Sequence, residues 1–244
     1  MIVGDHVLDH PIWSALTTRQ AALAQGNGRA RRYPVDVAPF ADMTDMSPES
    51  FAALYELMSP GEIAVLFTPE AVNVSPPFET LQAKTGEQMI GTPADVPDRA
   101  DEIVTLGVSD VPAMAELVAL TNPGPFAART HTLGTFLGIK IDGRLAAMIG
   151  ERMKPGNYTE MTGICVHPDF RGRGYAQMLM AQIARRIVSR GESPFLHVYS
   201  DNAPAIALYR RQGMSIRRQM HVTVARRLGV IDCNEALHSR YEVA

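Results

Sequence analysis

From Ile103 onward, the apolar and polar positions of this chain follow a succession of clear periods. Ile103 to Leu106 reads as a short strand, and Asp110 to Leu120 as a helix with Val111, Met114, Leu117 and Val118 on one side. Phe136 to Ile141 and Arg144 to Arg152 are apolar runs separated by Asp142 and Gly143, the dipeptide that most strongly marks a two-residue hairpin. A turn over Lys154 to Tyr158 leads into a strand from Thr159 to Val166. Tyr175 to Arg190 has helical spacing, with Leu179, Ile183 and Ile187 beside Met180, Ala184 and Val188 inward and Gln182, Arg185 and Arg186 outward. Gly191 closes it. Phe195 to Ser200 follows as a strand, Ala203 to Gln212 as a helix closed by Gly213, and Met214 to Val224 as an alternating strand.

Ahead of Ile103 the pattern is mixed. Ile12, Leu16, Ala22 and Leu23 suggest an early helix, and Phe51 to Met58 another after the start signal Ser47, Pro48. Ile63 to Phe67 reads as a buried strand, whereas Ser75 to Asp98, with Pro76, Pro77, Pro93 and Pro97, reads as a loop-rich connection. The change of rhythm predicts a boundary near residue 100: a small N-terminal α/β domain over 1–100, a second α/β domain over 101–228, and a loosely held tail over 229–244.

Composition narrows the function classes. With 244 residues, 46% hydrophobic and 20% charged, the chain reads as an ordinary soluble protein. A net charge of −3 argues against bulk binding of nucleic acid. Eleven arginines nevertheless lie between Arg171 and Arg227, against Glu192 and Asp201 as the only carboxylates there. That end could receive a polyanion, or the arginines could be solvated faces. Cys165 and Cys233 lie in no disulfide or metal-ligand spacing, and the histidines form no HxxH group, so no metal site is expected. No apolar run approaches the length of a membrane span and the start does not read as a secretory signal, so a cytoplasmic protein is expected.

The stretch Gly163 to Ala176, GICVHPDFRGRGYA, joins an apolar strand to a glycine-spaced turn and then to a helix. Backbone N–H groups at a helix N-terminus, the helix dipole and the lack of Cβ atoms make such a turn a phosphate cradle, and Arg171 and Arg173 add cationic donors. By itself that turn is a weak signal, because strand-to-helix junctions often carry glycines. The segment SDNAPAIALYRRQGM follows after one helix and one strand.

Together these two segments resemble the GCN5-related N-acetyltransferase (GNAT) family. Arg171, Gly174 and Ala176 match its Q/R-x-x-G-x-G/A loop. Asn202, Ala207, Leu208, Tyr209 and Gly213 match its second module, N-x-x-A-x-x-L-Y-x-x-x-G-F/M, with a one-residue offset at the alanine. The phrase FLHVYSDN looks nearest the FR47-like branch. The resemblance spans roughly residues 103 to 227. It implies a mixed-sheet α+β acyl-CoA N-acyltransferase fold, acetyl-CoA as cofactor and an amine acceptor, in a monomer or homodimer.

The resemblance also implies roles. The strand before the loop would splay from the next strand and hold the pantetheine through Ile164, Cys165 and Val166. Arg171, Gly172, Arg173, Gly174, Tyr175 and Ala176 would hold the pyrophosphate, and Asn202, Ala205 and Tyr209 would complete the cofactor site. Asn202 is equally a helix N-cap. Tyr209 matches the family's general acid for the departing thiolate, though a tyrosine on an amphipathic helix also suits a core. An alkyl amine must lose a proton before it attacks, and Glu160 is the expected base, with Glu151 second. His197, between Phe195 and Tyr199, reads as a packed or solvent-facing histidine, and nothing marks Cys165 as a nucleophile. Acceptor specificity would come from TNPGPFAARTHTLG and Lys154 to Tyr158. The alternative to an enzyme is a non-catalytic acyl-CoA-binding regulatory module.

Overall fold

The computed structural model describes residues 6–26, 28–74, 76–93 and 103–229. Among the described residues, ten strands and five α-helices follow in chain order. The N-terminal part holds α1 (Pro11–Thr17), β1 (Ala30–Arg32), β2 (Ala41–Met43), α2 (Pro48–Glu56), β3 (Ile63–Thr68) and β4 (Phe78–Ile90). Then come β5 (Ile103–Leu106), α3 (Val111–Thr121), β6 (Phe136–Ile141), β7 (Arg144–Glu151) and β8 (Tyr158–Val166). The chain continues with α4 (Tyr175–Ser189), β9 (Ser193–Tyr199), α5 (Ala203–Arg211) and β10 (Ser215–Arg227).

Local chemistry accounts for most of these boundaries. Asp142 and Gly143 both have positive φ, 50° and 77°, the conformation a tight hairpin between right-twisted strands requires. Ser47 caps α2 by accepting from the Ser50 N–H at 3.3 Å. Asn122, in the left-handed region at φ 47°, ends α3.

Eight strands form one sheet in the order β3-β10-β4-β9-β8-β7-β6-β5, and β1 pairs separately with β2. All neighbours in the large sheet are antiparallel except β8 and β9. One face is covered by α4 and α5, whose Leu179, Ile183 and Tyr209 pack with Ile149, Met161 and Leu196. The opposite face is covered at one end by α3, through Met114 and Leu117, and in the middle by the N-terminal segment, through Ile12, Leu16, Tyr33 and Phe40. Successive residues of β3 bury into different clusters, Val65 and Phe67 with Tyr33 and Phe40, Ala64 and Leu66 with α2, so the N-terminal part grips that edge from both sides.

The mixed α/β architecture and the extra N-terminal α/β portion agree with the sequence. One expectation does not survive. Phe78 to Ile90, inside the stretch expected to be loop, is a 13-residue strand. Its side chains carry no clean alternation because much of it is half-exposed, and its conformation comes from backbone pairing with β10 along its length and with β9 from Gly86. Strands β3 and β4 of the N-terminal part thus belong to the same sheet as β5 to β10. Residues 94–98 of the expected loop and the tail from residue 230 lie outside the described residues. No helix among the described residues is long and apolar enough to cross a membrane.

Candidate active site

Strands β8 and β9 touch only at their beginnings. Tyr158, Thr159 and Glu160 pair with Ser193, Pro194 and Phe195, and beyond that point β8 continues to Val166 and β9 to Tyr199 without further pairing between them. A wedge-shaped gap opens in the middle of the sheet. On β8, Gly163 adopts φ +60°, and three residues, Thr162 to Ile164, advance where β7 advances two. This bulge resets the alternation. Met161 faces α4, and after the bulge Ile164 and Val166 face α4 while Cys165 turns to α3. The glycine inside the strand run was the one available sequence signal of a bulge.

At the open end of β8 the chain turns into α4 through Arg171 to Gly174. Gly172 and Gly174 lie in the left-handed region, at φ 76° and 78°, which L side chains adopt only under strain. No atom lies within 4 Å of where a Cβ on Gly172 would stand, so that face of the turn is open. The α4 N-terminus has no side-chain cap, leaving its N–H groups available. Arg171 and Arg173 are exposed, and the Arg173 guanidinium lies 5.2 Å from the centroid of the Phe170 ring. Arg144, the first residue of β7, flanks the same ring at 5.5 Å and bonds Asp169 at 3.3 Å.

On the sheet face opposite α4, a narrow cleft with a cavity of about 10 Å³ runs up to the bulge. Pro123, Gly124, Pro125, Phe126 and Thr130 line it from the 122–130 turn, with Val118, Phe136, Thr162 and Gly163 completing it. It therefore meets the gap from the side away from α4, and the turn expected to govern specificity forms its wall.

The model of the Acetyltransferase (GNAT) family matches residues 111–214. A crystal structure from Novosphingobium aromaticivorans DSM 12444, assigned to the GNAT family, is 39% identical, superposes with a TM-score of 0.85 and covers 92% of this chain and 100% of its own. The [ribosomal protein bS18]-alanine N-acetyltransferase of Salmonella typhimurium is 30% identical over 130 residues, which are 50% of this chain and 87% of that protein. A GCN5-related N-acetyltransferase from Kribbella flavida, 14% identical with a TM-score of 0.61, covers 89% of this chain and 95% of its own and shares the fold. The chain belongs to the GNAT family.

Within this acetyltransferase the expected site residues fall into two groups. Around the gap and the turn stand Ile164, Cys165, Val166, the Arg171–Ala176 loop and Tyr209. Tyr209 is 8% exposed in the cluster that holds Ile164, Val166 and Val198. Burial, with a smaller contribution from Cys165, pushes its hydroxyl up to about 12, and among the described residues that hydroxyl has no hydrogen-bond partner. Burial also pushes the Cys165 thiol up to about 11, the wrong direction for a nucleophilic thiolate. Asn202 accepts from the Ala205 N–H at 3.2 Å and so serves as the α5 N-cap, with its side chain exposed near the surface.

The carboxylates form the second group, and both are engaged. Glu160 is fully buried, gripped by Arg152 through two hydrogen bonds of 2.7 Å and by His197 Nδ1 at 2.8 Å. Burial alone would raise its pKa, but the Arg152 charge and these donors outweigh it and draw it down to about 2. Glu151, 1% exposed, is held by Arg190 at 2.8 Å and Lys154 at 3.1 Å. Arg152 and Gln88 escaped the sequence reading. In the sequence Arg152 is marked only as a strand end, and Gln88 falls in the stretch expected to be loop.

Proposed function

We propose that this protein is an acetyl-CoA-dependent N-acetyltransferase that transfers the acetyl group directly to a primary amine of a small molecule or peptide. The observation that carries this reading is the divergence of β8 from β9 beyond Glu160 and Phe195, with an open glycine turn at its mouth and Tyr209 buried beside it. The relative from Salmonella typhimurium is, by its name, an N-acetyltransferase acting on an alanine.

Bound acetyl-CoA supplies an activated acetyl group as a thioester. The residues present fit it. The free N–H groups of the turn and of the α4 N-terminus, with the Arg171 and Arg173 side chains, are suited to a pyrophosphate. The unpaired backbone of Ile164 to Val166 along the gap offers donors and acceptors to the amides of an extended pantetheine. Holding thioester and amine side by side supplies much of the acceleration, since well-oriented reactants gain roughly 7–11 kcal/mol from lost encounter entropy. A buried phenol without a hydrogen-bond partner among the described residues is suited to donate its proton to the leaving thiolate, and we assign Tyr209 that role. Glu160, at a pKa of about 2 and saturated with donors, is too weak a base to deprotonate an amine, so we assign it to orienting its neighbours.

Release of free thiol from acetyl-CoA, followed against a panel of amines and peptides, tests the reading. Turnover with at least one amine is expected. Tight binding of coenzyme A without turnover on any acceptor would instead identify a non-catalytic acyl-CoA-binding module.

A further inference from the structure

The narrow cleft has one wall built from regular elements and one built from a turn. Val118 on α3, Phe136 on β6, and Thr162 and Gly163 at the bulge of β8 form the first. The second is the turn from Pro123 to Thr130, in which Pro123 and Pro125 have no N–H to give to a backbone bond. Midway, Phe126 meets Phe136 edge-on at 5.9 Å. The far end is held by residues 93 positions earlier in the chain. Thr130 is 3% exposed, and its hydroxyl accepts from the Ala127 N–H at 2.7 Å while donating to the Val37 carbonyl at 2.7 Å. Beside it, the Arg129 N–H donates to the Asp36 carbonyl at 2.7 Å, and its guanidinium pairs with the Asp36 carboxylate at 3.2 Å.

The residues that receive the turn are themselves fixed. The Val37 and Ala38 N–H groups donate to the Pro34 carbonyl, the Tyr33 N–H to the Phe40 carbonyl, and the Val65 N–H of β3 to the Pro39 carbonyl at 2.7 Å. Leu133, three residues beyond Thr130, packs with Tyr33, Val37 and Phe40. A bracket therefore runs from β3 through the 33–40 loop to the cleft wall. Its exposed ion pair is worth little, whereas the Thr130 bonds are buried, and breaking them strands a carbonyl and an N–H. The single proton of the Thr130 hydroxyl is committed to Val37, so it is not available to a ligand.

We propose that Thr130, through its bond to the Val37 carbonyl, positions the wall against which the acceptor amine binds, so that the N-terminal segment governs acceptor affinity. This rests on the acetyl-transfer reading above. α4 and α5 cover the other face of the sheet, so the amine approaches Thr162 and Gly163 from the cleft side. The distance between the turn and the bulge then decides how well the amine is held. Thr130 acts through the turn and is a positioning residue.

Thr130→Val keeps the shape of the side chain and removes both bonds, whereas Thr130→Ser keeps both. With the amine of the panel above that the native protein acetylates fastest, Thr130→Val should raise the acceptor KM about tenfold, the worth of one lost hydrogen bond. Its kcat should stay within about twofold of native, coenzyme A affinity by calorimetry should be unchanged, and Thr130→Ser should restore the native KM. A merely structural role gives the opposite split, because loss of folded protein lowers kcat at an unchanged KM. That split, an acceptor KM in Thr130→Val within about twofold of native, or no rescue by Thr130→Ser would overturn the proposal. Amide hydrogen exchange followed by NMR on the native protein needs no variant. The Ala127 amide should be protected to within about tenfold of Val37 and Ala38, and exchange at the rate of an open chain would also overturn the proposal. Failure of the native protein to acetylate any amine is a different outcome, and it removes the acetyl-transfer reading itself.

Discussion

Burial acts alike on Tyr209 and Glu160, but their neighbours give it opposite outcomes. The phenol, without a hydrogen-bond partner among the described residues, is pushed up to about 12 and stays a proton carrier throughout the working pH range. Tyr209→Phe keeps the packing and removes the proton, so kcat should fall about 10²-fold while coenzyme A binding is preserved, and steady-state kinetics with calorimetry checks both. An unchanged kcat would take Tyr209 out of the reaction. Glu160 is lowered from 4.5 to about 2, as is the Arg190-bound Glu192. A depressed folded-state pKa contributes stability that is complete above the unfolded value and is lost as pH falls. The melting temperature should therefore hold above about pH 4.5 and decline from there toward pH 2, read by circular dichroism. Glu160→Gln strands the buried Arg152 guanidinium without its counter-charge and should cost about 3–5 kcal/mol in urea unfolding.

Each element around the gap depends on a close approach. Gly150 on β7 lies against Phe136, and a Cβ there would stand 2.2 Å from the ring. Phe136 is 2% exposed and also walls the cleft, so it has little room to yield. Gly150→Ala should destabilise the protein by about 1–3 kcal/mol and disturb acceptor KM more than coenzyme A affinity. A change within about 0.5 kcal/mol in urea unfolding would show that the ring relaxes freely. The helices and the hairpin were legible because their determinants are local: the 3.6-residue period of α4, the Asp142–Gly143 pair, the cap and proline before α2. β4 was not, because its apolar residues Phe78, Leu81, Ala83, Met89 and Ile90 keep no strict two-residue alternation, and what makes it a strand is a partner more than a hundred residues away.

For the molecule as a whole, the decisive fact is that β10 has only N-terminal neighbours, β3 on one side and β4 on the other. The family motifs lie in residues 163–214, but the sheet that supports them is completed by residues 63–90. A chain beginning at residue 101 would leave β10 with no strand to pair with and would strip β9 of one partner. It should fail to melt cooperatively by circular dichroism, whereas a single sharp transition near that of the full chain would establish an independent C-terminal domain. The N-terminal segment also reaches the site directly, since Gln88, which bonds the Leu8 carbonyl, also bonds His197, the partner of Glu160.

By itself the sequence determined the succession of helices and strands after Ile103, the glycine turn before α4, and the pairing of that turn with Asn202 and Tyr209 that points to coenzyme A. Those features are encoded in neighbours within a turn or a strand length. Only the tertiary structure decided that β3 and β4, within residues 63–90, share the sheet, that Glu160 is a saturated ion pair, and that His197 bonds Glu160 where the sheet begins to open. Those facts depend on strands far apart in the chain, and on burial and charge that exist only once the strands are side by side.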